Sequence, residues 1–178
     1  MLMIKDWELT EEEKEFVEIL EKPEICLFMS PSTAHPSTKG EMFLTFTHPF
    51  VSRRGYNIEK PGEITSPLYE KCVKIFERFC VENQIPVQFI LRGAINVTTH
   101  EPFLHGDIHV DHNFPHKNFL IYLNEFDEGC TYLFDDKNNI TNVIVPKFGR
   151  VAIFDGIPHA NGFCKPKQKR IVMIITFK

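Results

Sequence analysis

The sequence predicts a mainly β domain with two supporting helices, arranged as a double-sheet jelly roll. Two patterns carry this expectation. Beyond Pro86 the chain falls into six apolar runs of strand length: 87–97, 118–123, 131–134, 142–145, 151–154 and 170–177. Turn residues separate them, in Asp135-Asp136-Lys137-Asn138-Asn139, Phe148-Gly149, Asp155-Gly156 and Asn161-Gly162. Before Pro86, apolar residues recur at helical spacing in two places. With 178 residues and no repeat, low-complexity tract or evident linker, the chain fits one domain. Residues 1–85 form its helical and irregular part, and residues 86–178 the jelly-roll core.

In chain order, Thr10-Glu11-Glu12-Glu13 has the T-x-x-E form of a capping box, ahead of Phe16, Val17, Ile19 and Leu20. It predicts a helix over 11–21, ending before Pro23. Residues 25–29 read as a brief strand. From Ser30 to Pro67 the chain is rich in Pro, Ser, Thr and Gly, with one apolar run at 42–46. It reads as a long irregular region, and its His48, Arg53, Arg54 and Tyr56 make it a candidate lid. Ser66 as N-cap and Pro67 at N1 then open a second helix. Its apolar face is Leu68, Cys72, Ile75, Phe76, Phe79 and Cys80, running to about Asn83.

The composition is that of a soluble globular protein, 43% apolar and 25% charged. Seventeen phenylalanines against one tryptophan and four tyrosines predict a core packed with Phe. The net charge of -4 argues against a nucleic-acid backbone as the main partner. Five cysteines, Cys26, Cys72, Cys80, Cys130 and Cys164, are widely spaced with no C-x-x-C pair. This is neither a disulfide framework nor a zinc ribbon, and it suits a reducing compartment. The first ten residues lack an apolar run of signal-peptide type, and no stretch approaches a membrane span. The expected location is the cytoplasm, that of a host cell if a phage encodes the chain.

Chemistry concentrates in His109-Val110-Asp111, in His159 and in Arg170. Residues i and i+2 of a strand point the same way, so His109 and Asp111 can reach one metal. His159, 50 residues on, follows the apolar run 151–154 and could arrive on a neighbouring strand. Two imidazoles and a carboxylate on one face of a metal suit Fe(II) with open coordination positions, and zinc is the rival. Arg170 opens the last apolar run, where its guanidinium would need a carboxylate partner or else form a solvated basic edge with Lys167 and Lys169. His105-Gly106-Asp107 offers a competing H-x-D, and His112 and His116 crowd the same region.

The ordered series His109-Val110-Asp111-His112-Asn113-Phe114-Pro115-His116, Phe119-Leu120-Ile121-Tyr122-Leu123-Asn124, Glu128-Gly129-Cys130-Thr131, Pro158-His159-Ala160 and Lys169-Arg170-Ile171-Val172 carries a resemblance. It resembles the prolyl-hydroxylase-like branch of the Fe(II)/2-oxoglutarate-dependent oxygenases, especially small members from phages and marine microbes. The likeness covers about residue 90 to the end, and the first half adds little to it. It implies a double-stranded β-helix, cupin-like, and selects His109 and Asp111 over His105 and Asp107.

The resemblance further implies metal ligation by His109, Asp111 and His159, with Arg170 and the hydroxyl of Tyr122 at the distal carboxylate of 2-oxoglutarate. Thr131 would support that pocket. Gly129-Cys130-Thr131 departs from the family's Gly-Gly-Glu-Thr, which puts the local turn in question. Val97 stands where relatives carry a tyrosine near the keto-acid end, with Asn96 beside it as the alternative polar contact. The implied activity is hydroxylation of a C–H bond with O2, releasing succinate and CO2, with ascorbate as an accessory reductant. A prolyl or other amino-acid side chain, in a peptide or free, is the substrate by analogy. Alkylated-nucleic-acid repair relatives carry a second arginine six residues past the first, and here that position is Thr176. A non-catalytic jelly-roll binding or structural protein and a zinc-dependent hydrolase remain the alternatives.

Overall fold

Apolar residues on both sides of the central strands demand a sheet covered on both faces, and the fold supplies one. The computed structural model describes residues 1–22, 25–30 and 45–178. Its elements are β1 (Leu2–Asp6), α1 (Glu11–Leu20), β2 (Phe28–Ser30), β3 (Thr45–Ser52), β4 (Glu63–Ile64) and α2 (Tyr69–Glu82). There follow β5 (Ile90–Thr98), β6 (Lys117–Tyr122), β7 (Thr131–Phe134), β8 (Ile140–Ile144), β9 (Arg150–Asp155), β10 (His159–Asn161) and β11 (Arg170–Phe177). The major sheet has eight strands in the order β1-β9-β6-β11-β5-β3-β2, with β4 on β3. The minor sheet is β10-β7-β8, and isolated antiparallel bridges from His109 to His159 and from His105 to Gly162 extend it. The two sheets make the jelly roll that the sequence predicts.

One face of the major sheet packs on α1 and α2 through Phe76, Phe79, Phe119, Ile121, Met173 and Phe177 among others. The opposite face meets the minor sheet through Leu120, Tyr122, Leu133, Ile144, Phe154 and Val172. The capping box of α1 is present: the Thr10 hydroxyl accepts from the Glu13 amide, and the Glu13 carboxylate from the Thr10 amide. That buried carboxylate also takes Arg78 of α2 at 2.5 Å, locking helix to helix.

Three expectations are corrected. Residues 45–52 form a full strand of the major sheet, paired with β5, so the region before Pro67 is not an irregular excursion there. Residues 31–44 of the candidate lid lie outside the described residues, and 53–67 contain only the two-residue strand β4. Helix α2 starts at Tyr69 with Leu68 as N-cap and no side-chain cap. Ser66 instead accepts from the Leu68 amide and pairs with His48 Nε2, capping the turn that precedes the helix. Strand β1, unforeseen, lies antiparallel to β9 and is mostly exposed, so it owes its place to ladder hydrogen bonds and the Asp6 pairs with Lys147 and Arg150.

Candidate metal centre

His109, Asp111 and His159 converge: their ligand atoms all lie within 4.8 Å of one another. The chain brings them together by register, because the His109 and His159 backbones exchange both hydrogen bonds of a bridge, at 3.0 and 2.9 Å. Each imidazole is oriented from behind. His109 Nδ1 lies 2.9 Å from the Asp107 carbonyl, and His159 Nδ1 lies 2.9 Å from the Ile157 carbonyl. A carbonyl only accepts, so both Nδ1 atoms carry the proton, and the Nε2 lone pairs are left for a cation. Backbone acceptors behind metal-binding imidazoles do this in metalloproteins generally.

The electrostatics agree. Asp111 is 4% exposed and faces His159 Nε2 at 3.4 Å. Burial alone would raise the Asp111 pKa, but the adjoining imidazoles and Arg92 hold it well below the usual carboxylate range. Burial opposes charge on His159, yet its contact with Asp111 pushes its pKa upward. Burial, then the neighbouring His159, drives His109 down to about 4. A buried carboxylate beside two imidazoles therefore favours a positive charge between them, where a divalent cation would fit. The donor set, N2O with a carboxylate, suits Fe(II) or zinc alike.

A cavity of about 50 Å³ joins this cluster to Arg170, Thr131, Asn96, Asn118, Asn161 and Arg92. Arg170 is 2% exposed, which removes the solvated-edge reading. Its Nε donates to the Gly129 carbonyl and its Nη2 to Thr131 Oγ1, both at 3.0 Å. Among the described residues no carboxylate pairs with it. Tyr122 stands behind: its hydroxyl donates to the Ile144 carbonyl at 2.9 Å and accepts from the Thr131 amide at 3.1 Å. Thr131 Oγ1 lies 2.9 Å from the same phenol oxygen, so the hydroxyl of Thr131 links Arg170 to Tyr122.

The turn before Thr131 survives its sequence departure. Glu128 and Gly129 both take positive φ, 63° and 62°, with Glu128 bearing the strain that a glycine would avoid. Gly129 itself is required, since a Cβ there would come within 2.8 Å of Phe126 and 3.3 Å of Arg170. Asn96, not Val97, faces the cavity, while Val97 belongs to the helix-side core. Asn96 Oδ1 accepts from Thr47 at 2.8 Å, so its NH2 is the group it can offer inward.

The rival H-x-D does not form a cluster. His105 Nδ1 turns to the Gly106 carbonyl, and Asp107 serves through its backbone. His112 bonds Thr176 at 2.8 Å, and His116 packs where a Cβ on Gly156 would overlap its ring. Of the candidate lid, His48 is engaged by Cys26 and Ser66, and Arg54 by Glu63. Arg53 does reach the centre, donating to the Asp111 carbonyl at 2.7 Å. Sequence reading missed Arg92, Asn118 and Asn161. A cation inside the apolar run 87–97, at even spacing from Asn96, was the available signal for Arg92.

A larger groove of about 620 Å³ runs along α2 on the other side of the sheet. Its lining is Val51, Phe76, Val81, Ile85 and similar residues with no cluster of metal-binding groups, so volume does not mark the chemistry here.

The sequence matches no family model and no curated protein. Solved structures do match. An oxidoreductase of the 2OG-Fe(II) oxygenase family from Burkholderia pseudomallei is similar at a TM-score of 0.74 and 16% identity, covering 99% of this chain and 84% of that one. A prolyl hydroxylase from Trichoplax adhaerens, in complex with a hypoxia inducible factor peptide fragment, is similar at 0.63 and 14%, with coverages of 99% and 82%. HygX from Streptomyces hygroscopicus, with nickel and 2-oxoglutarate bound, is similar at 0.58 and 12%, with 99% and 82%. This chain shares their fold. No helix among the described residues is long and apolar enough to cross a membrane.

Proposed function

We propose that this chain is an Fe(II)- and 2-oxoglutarate-dependent dioxygenase that hydroxylates a C–H bond. The observation that carries the reading is the pair of Nδ1-protonated imidazoles whose Nε2 atoms converge with buried Asp111, in one cavity with a buried Arg170 that pairs with no carboxylate among the described residues. His109, Asp111 and His159 would hold the metal. Bound iron, with 2-oxoglutarate and O2, would supply the oxidising power, yielding succinate, CO2 and a hydroxylated product.

The protein's own part is positioning and charge. Arg170 is a permanent cation that matches the distal carboxylate of 2-oxoglutarate, and Thr131 fixes its Nη2 end. Burial raises the Tyr122 pKa, so the phenol stays neutral and orients Thr131. Tyr122 therefore acts from behind Thr131 in this reading, with the NH2 of Asn96 offered nearer the metal. The substrate class, by likeness to the prolyl hydroxylases, is a prolyl or other amino-acid side chain, in a peptide or free.

Anaerobic addition of Fe(II) and 2-oxoglutarate should give a weak visible charge-transfer band. His159→Ala should abolish it, and an unchanged band in that variant rejects the metal assignment. Arg170→Ala should weaken 2-oxoglutarate at least tenfold more than Fe(II), and equal loss of both sinks its role. Succinate release with candidate peptides and amino acids then identifies the substrate, and zinc binding without dependence on 2-oxoglutarate would point to a hydrolase.

A further inference from the structure

We propose that Arg92 is a second carboxylate-binding group, and that the molecule oxidised presents a carboxylate to it. This rests on the dioxygenase reading and narrows its substrate class to acids. Arg92 and Arg170 line the same cavity from opposite ends. Across the sheet, Arg170 pairs with Thr98, whereas Arg92 lies in the row Arg92, Thr176, Asn118. Six residues along β11 place the two rows roughly 20 Å apart at the backbone. The Arg170 guanidinium is turned to Gly129 and Thr131 and that of Arg92 to Asp111, so one small anion bound at Arg170 does not serve Arg92.

The Arg92 end is rich in donors and poor in acceptors. A guanidinium carries five N–H donors. Here its one polar contact among the described residues is Asp111 Oδ1 at a long 3.5 Å. Asn118 Nδ2, buried in the same row and lining the same cavity, has no acceptor among the described residues. Arg53 adds another cation through the Asp111 carbonyl. Buried donors without acceptors are costly, and a bound acceptor would satisfy them.

Charge points the same way. Apart from the two histidines, the ionisable lining groups are Arg92, Arg170 and Asp111, two cations and one anion. A divalent metal and a dicarboxylate cancel each other, so one positive charge remains with or without them. In 2-oxoglutarate one carboxylate falls to Arg170 and the other to the metal, which leaves Arg92 for a third. A carboxylate on the substrate matches its fork and restores neutrality.

The test is an acetate titration of the protein loaded with Zn(II) and 2-oxoglutarate, against acetamide as the neutral isostere, followed by 1H–15N spectra. Acetate should shift the Arg92 Nε–Hε and Asn118 side-chain signals at concentrations where acetamide does not. Arg92→Gln should weaken acetate at least tenfold, Arg92→Lys less, and each should weaken acetate far more than it weakens metal or 2-oxoglutarate. Equal response to acetamide, or acetate binding untouched by Arg92→Gln, overturns the proposal. A tenfold loss of 2-oxoglutarate in Arg92→Gln instead gives Arg92 to the keto-acid end, and a matching loss of metal makes it a support for Asp111; either outcome also overturns it. If metal and 2-oxoglutarate fail to bind at all, the dioxygenase reading fails. The same titration on the metal-free protein, whose lining groups keep their net positive charge, then decides the anion site separately.

Discussion

The two faces of the major sheet are built from the same strands and do opposite work. Toward the helices, Phe76, Phe79, Phe119 and Phe177 meet edge to face at centroid distances of 5.0 to 5.7 Å. Toward the minor sheet, Arg92, Asn96 and Asn118, all polar, line a cavity with Arg170. Alternation alone makes the partition. In β11, Ile171, Met173, Ile175 and Phe177 belong to the helix-side core, while Arg170, Val172 and Ile174 line the cavity. A slip of one residue would exchange the faces, so the apolar side fixes the register that aims the site. Stability and chemistry thus sit on separate sides of one layer.

The sharpest attempt to break this division is Phe119→Ala. Phe119 is fully buried, its ring packed on Phe76 and Phe79 in the helix-side core while the residue also borders the cavity. Its loss should cost about 3–5 kcal/mol of stability by denaturant unfolding. Metal affinity, measured where the variant stays folded, should change less than threefold. Asp111→Asn is the converse. It keeps the volume and removes the ligand charge, so metal affinity by calorimetry should fall roughly a hundredfold, one ligand's share of the ~10–16 kcal/mol of a four-ligand zinc site. A Phe119→Ala variant that loses metal in the same proportion would show that the two faces are coupled.

How much was legible follows from the same contrast. Strands β7 and β11 were readable to the residue because both faces bury them, which leaves unbroken apolar runs. Strand β1 was not, since its side chains are mostly exposed and its pairing with β9 is written in the backbone. Strand β10 is three residues long and polar at both ends, so no pattern marks it. Within the site, spacing suggested His109 and Asp111, and only the ordered motifs chose them over His105 and Asp107. Arg92 escaped because one charge in an apolar strand looks like an interruption until the register places it opposite Thr176.

Acid should act on the cavity face first. The raised pKa of His159 means that below 6.5 its proton competes with metal, whereas His109, lowered to about 4, is already neutral there. Between those values a metal displaces one proton, so affinity should rise about tenfold per pH unit and flatten above the His159 pKa. Below about 4 both imidazoles are charged and the dependence should steepen. Asp111→Asn should move the whole profile to lower pH, because burial of His159 would then be opposed only by its bond to the Ile157 carbonyl. A profile that stays in place contradicts the assigned pairing.

The smallest expected effect concerns Thr131→Val, which keeps shape and deletes one hydroxyl. That hydroxyl accepts from Arg170 Nη2 at 3.0 Å and contacts the Tyr122 phenol at 2.9 Å. Tyr122 keeps the Ile144 carbonyl and the Thr131 amide, so the phenol stays in place. Arg170 keeps the Gly129 carbonyl but loses a bond to its charged fork, worth about 1.5 kcal/mol. The affinity for 2-oxoglutarate should therefore fall about tenfold, with metal affinity unchanged and stability lowered by about 1.5 kcal/mol. Tyr122→Phe, one layer further back, should produce a smaller loss in the same direction. If it produced the larger loss, the phenol itself would face the co-substrate, and Thr131 would be the supporting group.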